Sequence, residues 1–183
     1  MSSSARHSRW RALAFAGTAA VISLGTCLTV GQNVTLASLR AQIAREYPDV
    51  AWITSVELVR ALRGAPARRP RLLDARSAAE VAVSQLGGAT RIDPDHPDVA
   101  ALGSSHAAPI VVYCSVGYRS AVVARALVRA GFSNVRNLEG GIFAWANAGR
   151  PVYRRGRVVH DVHPFDDVWG RLLDAELRTR TPR

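Results

Sequence analysis

Pro109-Ile110-Val111-Val112-Tyr113 is a continuous apolar, β-branched run, too short for a helix and without a polar position to face water. A strand of that composition is buried on both faces, which places it inside a parallel sheet covered by helices. The rest of the chain agrees. Residues 51–53, 71–74, 89–92 and 135–138 read as further short strands, each followed by a segment of helical periodicity. Val56, Leu58, Val59 and Leu62 form a stripe behind a Thr54 or Ser55 cap, with Gly64 at its end. Ser77 and Glu80 fit a capping box for a helix over residues 77–83. Pro97 to Leu102 reads as a helical turn. Ala121, Val122, Ala124, Leu127 and Val128 mark a helix running to Ala130 and stopped by Gly131. Ile142 to Ala148 close the domain with Trp145 inward. Strand and helix in alternation, with no internal repeat, predict an α/β fold with a parallel sheet.

At 183 residues and 48% hydrophobic, the chain has material for one core with short extensions. The predicted organisation is a leader over residues 1–31, a linker helix within 32–49, a domain over 50–152 and an extension over 153–183. Leu36, Leu39, Ile43 and Tyr47 give the linker its amphipathic face, and Pro48 ends it.

The net charge of +10 comes wholly from arginine, and it is spread along the chain. The densest cluster, Arg60, Arg63, Arg68, Arg69 and Arg71, surrounds Gly64, Pro66 and Pro70 and has no aromatic residue on which a base could stack. It reads as a solvated loop, not a nucleic-acid site. The positive field still favours small anionic substrates.

Arg6, His7, Arg9 and Arg11 precede an uncharged stretch over residues 12–39, apolar from 12 to 30. That is the layout of an export signal or membrane anchor. The run approaches the ~20 residues needed to span a bilayer, which favours a single-pass anchor with the domain outside the cytoplasm. Thr35-Leu36-Ala37 offers an alternative cleavage site and a periplasmic or secreted product. Leu24-Gly25-Thr26-Cys27 matches a lipoprotein box poorly, since Thr26 stands where a small residue is wanted. Cys27 then reads as apolar filler, and Cys114 is the one thiol left for the folded part, so no disulfide forms within it.

Cys114 ends the buried strand and opens the loop Cys114-Ser115-Val116-Gly117-Tyr118-Arg119-Ser120, where the next helix begins. In open α/β sheets, ligands sit beyond the carboxyl ends of the strands. Loop amides and the first helical turn converge there, carrying about half a positive charge from the macrodipole. Such a site favours an oxyanion and a thiolate alike, and a helix N-terminus or nearby cation lowers a thiol from its ordinary pKa of about 8.5. Gly117 lets the backbone turn its amides inward, Arg119 supplies a positive fork, and Ser120 caps or donates. Against this stands the reading of Cys114 as a buried structural cysteine before an ordinary turn. The catalytic reading requires a sulfur open to a donor at the mouth of the sheet, with amides directed onto it.

Leu72-Leu73-Asp74-Ala75-Arg76, Gly88-Ala89, Val111 through Ser120, and Asn137-Leu138-Glu139-Gly140-Gly141 followed by Ala144-Trp145 occur in an order that resembles the rhodanese-like single-domain sulfurtransferases. The resemblance covers residues 50–152. It implies a five-stranded parallel sheet flanked by helices, with Cys114 as persulfide carrier and residues 115–120 binding substrate. It further implies a small anionic donor such as thiosulfate, a thiol or cyanide acceptor or a protein acceptor, and no cofactor or metal. A membrane-tethered sulfur-relay or interaction module with little turnover is the alternative. Phosphatases and arsenate reductases of related design are a third reading, disfavoured by spacing. Only four residues separate Cys114 from Arg119, one fewer than tyrosine phosphatases and their cell-cycle relatives use. Gln85-Leu86-Gly87-Gly88 departs from the family's His-apolar-Pro-Gly pattern.

His96 and His106 lie in polar loops and read as solvated. Beyond the family core, residues 153–160 suggest a hairpin and residues around Trp169, Leu172 and Leu173 a helix packed on the domain. His160 and His163 are candidate proton carriers if that tail reaches the site, and surface histidines otherwise.

Overall fold

The strands β1 (Ala51–Ile53), β2 (Arg71–Asp74), β3 (Thr90–Arg91), β4 (Ile110–Tyr113) and β5 (Val135–Leu138) form one parallel sheet in the order β1-β5-β4-β2-β3. The computed structural model describes residues 34–179. The apolar run over 12–30 and Cys27 lie outside them. No helix among the described residues is long and apolar enough to cross a membrane.

β4 is central and buried at every position, as its unbroken apolar sequence requires. It pairs with β2 from Arg71↔Ile110 to Asp74↔Tyr113 and with β5 from Ile110↔Val135 to Val112↔Asn137. Among the described residues, five helices flank the sheet: α1 (Leu36–Glu46), α2 (Ser55–Arg63), α3 (Ala78–Val83), α4 (Tyr118–Arg129) and α5 (Gly141–Asn147). Capping boxes start the first three, from Thr35, Thr54 and Ser77. The last two start instead at left-handed glycines, Gly117 and Gly140. That difference matters, because α4 and α5 meet at the end of β4.

Asp74, Arg76 and Tyr113 tie the centre of the sheet to its edge. The fully buried Arg76 donates through Nε to Asp74 Oδ1 at 2.9 Å and through Nη2 to Asp74 Oδ2 at 2.7 Å and the Ser84 carbonyl at 2.6 Å. The Tyr113 hydroxyl donates to Asp74 Oδ2 at 2.6 Å and accepts the Leu86 N–H at 3.1 Å. Burial and the Asp74 charge push the Tyr113 phenol well above its ordinary pKa, so it stays neutral and donates.

The Gln85–Gly88 segment has its own partner. β6 (Val152–Arg154) and β7 (Arg157–Val159) form an antiparallel hairpin, and Gln85 exchanges backbone hydrogen bonds with Tyr153 at 2.9 and 2.8 Å. A Cβ at Gly87 would lie 3.0 Å from the Tyr153 ring. The glycine where proline was expected therefore makes room for the hairpin.

Some elements differ from the sequence reading. β3 is only two residues, because Ala89 is held in a turn to the Leu86 carbonyl. Val56 is exposed and Leu58 alone is fully buried on α2. Residues 97–102 contain only a 3₁₀ turn, Ala100–Leu102. The tail has two 3₁₀ turns, Trp169–Leu172 and Ala175–Leu177, in place of a helix. Gly170 packs so closely on Pro164 that an added Cβ would sit 2.8 Å from the proline Cβ. Asn147 takes the Leu172 carbonyl and the Asp174 N–H, diverting both from a helical ladder. Leu39 and Ile43 of α1 and Val162 and Leu173 of the tail belong to the same apolar core as the sheet. Arg60, Arg63, Arg68, Arg69 and Arg71 are exposed.

Candidate active site

Cys114 is delivered by β4 to the point where α4 and α5 both begin. Three carbonyls of the following loop are held from outside. Ile142 N–H donates to the Cys114 carbonyl at 2.9 Å, Phe143 N–H to the Ser115 carbonyl at 3.1 Å, and Asn137 Nδ2 to the Gly117 carbonyl at 2.8 Å. In a trans peptide the N–H points opposite to its C=O. Fastening these carbonyls outward therefore turns the N–H groups of Ser115, Val116 and Tyr118 to the other side. Among the described residues, the N–H groups of Ser115, Val116, Arg119 and Ser120 donate to no acceptor. Gly117, at φ +113°, bends the chain so that its own N–H meets Cys114 Sγ at 3.2 Å. The Ser120 hydroxyl lies 3.4 Å from the same sulfur. Two donors, the Gly117 N–H and the Ser120 hydroxyl, thus meet one sulfur atom at a helix N-terminus, an arrangement that stabilises negative charge.

Gly141 makes this clamp possible. Its φ is +56°, and a Cβ there would stand 2.3 Å from the Cys114 carbonyl oxygen and 2.6 Å from that of Ser115. Gly141→Ala is expected to cost about 3 kcal/mol, the upper end of overpacking, because backbone and not a side chain would have to yield. A denaturant midpoint unchanged from wild type would contradict this clamp. Asn137→Leu removes one hydrogen bond from Gly117 and is expected to cost about 1–2 kcal/mol. A denaturant midpoint unchanged from wild type would show that Asn137 does not hold the loop.

Arg119 does not present an open fork. Nη1 and Nη2 donate to Glu80 Oε2 and Oε1, each at 2.8 Å, and Nη2 also reaches Ser115 Oγ at 2.9 Å. Ser115 Oγ donates in turn to Glu80 Oε1 at 2.8 Å. Burial works against the Glu80 carboxylate, but the Arg119 hydrogen bonds and charge more than offset it and hold its pKa well below the carboxylate range. Burial likewise opposes the Arg119 charge, and Glu80 with a contribution from the nearby Cys114 keeps it protonated. Arg119 thus anchors the loop to α3 and leaves a positive charge close to the sulfur. The Tyr118 hydroxyl bonds Glu46 of α1 at 2.5 Å. The Val116 side chain is buried.

Cys114 itself is 1% exposed. The sequence reading requires an open sulfur, which is absent, and of the loop amides the Gly117 N–H is the one that meets it. Ser115, Val116 and Gly117 are all buried, and a Cβ on Gly117 would touch Trp52 at 3.6 Å and Ile43 of α1 at 3.7 Å. Displacement at sulfur needs a donor atom in line with the thiolate, so chemistry here requires this cover to open. Iodoacetamide should modify native Cys114 more slowly than the unfolded chain, yet to completion. A folded protein that never reacts would deny Cys114 any role in catalysis.

Glu80, Asn137 and Gly141 complete the site, although their sequence positions suggested only a cap, a strand residue and a helix start. His96, His106 and His160 are exposed, and His163 accepts the Phe165 N–H at 3.0 Å. No group of metal-ligating side chains occurs among the described residues.

A parallel α/β domain with a cysteine cradled between two helix N-termini defines a class of proteins, and sequence comparison names it. The family model of the rhodanese-like domain matches residues 55–148, more than half of the chain. This chain belongs to the rhodanese-like domain family. A sulfurtransferase of Allochromatium vinosum is 32% identical over 81 residues, covering 44% of this chain and 76% of that protein. Two solved structures share the fold. The polysulfide-sulfur transferase homodimer of Wolinella succinogenes has a TM-score of 0.53 at 24% identity, over 66% of this chain and 90% of that one. The thiosulfate sulfurtransferase of Pseudomonas aeruginosa has a TM-score of 0.52 at 24% identity, over 67% of this chain and 23% of that one.

Proposed function

We propose that the protein is a sulfurtransferase that carries sulfane sulfur from thiosulfate or another donor to a nucleophilic acceptor as a persulfide on Cys114. The observation that carries this reading is the Gly117 N–H on Cys114 Sγ at 3.2 Å, in a loop whose Ser115, Val116, Arg119 and Ser120 N–H groups have no acceptor among the described residues. A bare helix turn leaves such donors to water. Here they belong to the loop that follows a thiol, and in this reading they stabilise both the attacking thiolate and the anionic persulfide that replaces it.

In the first half-reaction the Cys114 thiolate attacks the outer sulfur of the donor. The donor's S–S bond breaks, and its electron pair leaves with the leaving group, sulfite in the case of thiosulfate. In the second, a thiol, cyanide or a protein acceptor attacks the outer sulfur of the persulfide and returns the Cys114 thiolate. Arg119 contributes a fixed charge beside the sulfur while Glu80 holds it in place. Ser115 to Ser120 bind the transferred sulfur through the backbone, and no cofactor or metal enters either step.

The reading extends to location, through the basic residues Arg6, Arg9 and Arg11 ahead of the apolar run over residues 12–30. These would hold the domain outside the cytoplasm, as a single-pass inner-membrane protein or, after cleavage, a periplasmic or secreted one. Cell fractionation with sequencing of the mature N-terminus separates these outcomes, and a full-length cytosolic product would contradict all of them.

The direct test of activity is thiosulfate:cyanide turnover measured beside sulfur transfer from a persulfidated donor protein. Turnover in either assay is expected from the full chain. Silence in both would leave a rhodanese fold without the proposed activity.

A further inference from the structure

The C-terminal tail reaches the active-site loop. The Arg119 guanidinium sits over the Phe165 ring, with Cζ 4.9 Å from the ring centroid. Two edges of that guanidinium are already bound to Glu80 and Ser115. Phe165 thus sets an apolar ring on Arg119, the only cation of the loop.

The tail is built to place the ring there. Val162 and Leu173, 0% and 1% exposed, sink into the core on either side of Phe165. Val162 is tied to Leu177 and Thr179 by backbone hydrogen bonds of 2.7 and 3.0 Å. Pro164 is wedged against Gly170. Asp166 Oδ1 caps the next turn by accepting the N–H groups of Val168 and Trp169, each at 2.9 Å. Phe165 sits in this frame at φ +69°, a left-handed conformation that costs free energy in any residue but glycine, with its N–H on His163 Nδ1. A bulky residue persists in that conformation only where its surroundings over-determine it, and such positions cluster at functional sites.

We propose that Phe165 is a specificity-determining residue: by covering the Arg119 guanidinium it makes the loop accept sulfur from a persulfide on an organic or protein thiol in preference to a small oxyanion donor such as thiosulfate. The proposal rests on Cys114 being the sulfur carrier. A dianionic donor needs a free cation to meet its oxygens, and the one cation of the loop is satisfied on its edges by Glu80 and faced by an aromatic ring. A persulfide R–S–SH needs no such cation. The Cys114 thiolate attacks its outer sulfur, the donor S–S bond breaks, and R–S⁻ leaves with the electron pair. The proton stays on the transferred sulfur, and no oxidant or reductant is consumed.

The experiment compares loading of the full chain from thiosulfate and from glutathione persulfide, read as the rate of persulfide formation by intact mass. Wild type, Phe165→Ala and Phe165→Asn are measured. Asparagine tolerates positive φ better than most residues, so the second variant keeps the turn while removing the ring. Wild type is expected to load faster from glutathione persulfide. Both variants should gain about fivefold with thiosulfate through a lower KM, because the uncovered Arg119 charge then attracts the dianion more strongly, with glutathione persulfide loading changed by less than about twofold. An unchanged ratio between the two donors in a folded Phe165→Asn protein would overturn the proposal, as would loss of both activities. Wild type loaded by neither donor would be the distinct failure, that of Cys114 as carrier.

Discussion

Cys114→Ser abolishes sulfur transfer and the mass increase of about 32 Da that a bound sulfur atom gives the wild-type chain. The substitution is close to isosteric and can keep a contact from the Gly117 N–H, so the loop should survive it. What it removes is the nucleophile. A serine hydroxyl at neutral pH carries no appreciable anion, and an oxygen cannot hold sulfur as a disulfide-like bond that a second thiolate reopens. No other cysteine lies among the described residues to take its place. Residual transfer at the wild-type rate would show that another residue carries the sulfur. The stability of the variant distinguishes lost chemistry from lost fold: its denaturant midpoint should stay near that of wild type.

Glu80→Gln produces the largest loss of stability expected at the site, about 3–5 kcal/mol, because it leaves the Arg119 charge buried without its counter-ion. Glu80 and Arg119 side chains are 1% and 8% exposed, so water does little to replace the pair. A single acceptor oxygen then remains for Ser115 Oγ and the two Arg119 nitrogens, and the loop that follows Cys114 loosens with it. The pH dependence follows from the direction of the Glu80 shift. Its folded pKa is depressed below the ordinary 4.5, so the unfolded chain binds the proton more readily than the folded one. The stabilisation is complete above about pH 5 and is lost as the pH falls below the ordinary value. Wild type should therefore lose stability steeply between pH 5 and the acid limit of its folded range, by roughly one proton's linkage more than Glu80→Gln. Parallel stability curves for the two proteins over that range would contradict the buried pair.

The sheet and the position of the cysteine could be read from the sequence because each is a local property. Residues 109–113 admit no conformation but a buried strand, and the capping boxes at Thr54 and Ser77 announce their helices within four residues. The turn of the loop into α4 was equally local, resting on Gly117. The pairing of Arg119 with Glu80 was not local. The two lie 39 residues apart, and the capping box that identified Glu80 uses the same carboxylate that receives the arginine. Arg119 therefore looked free to hold a donor. Asn137 gave as little warning, since a polar residue in a short strand does not show which carbonyl it will hold. The closure of the sulfur depends on α1 and β1 reaching over Gly117, and the placement of Phe165 depends on a tail beyond the family core. Contacts of that kind are set by packing between distant segments, which periodicity and spacing do not encode.

The central claim is that backbone N–H groups of residues 115–120 hold the charge on a sulfur carried by Cys114. A crystal structure of the protein after loading with a sulfane-sulfur donor tests it most directly. The account expects one additional sulfur bonded to Cys114 Sγ and within hydrogen-bond distance of several of those amides, with Arg119 still paired to Glu80. An extra sulfur that points away from the loop, or a loaded protein whose sulfur resides on another residue, would contradict it.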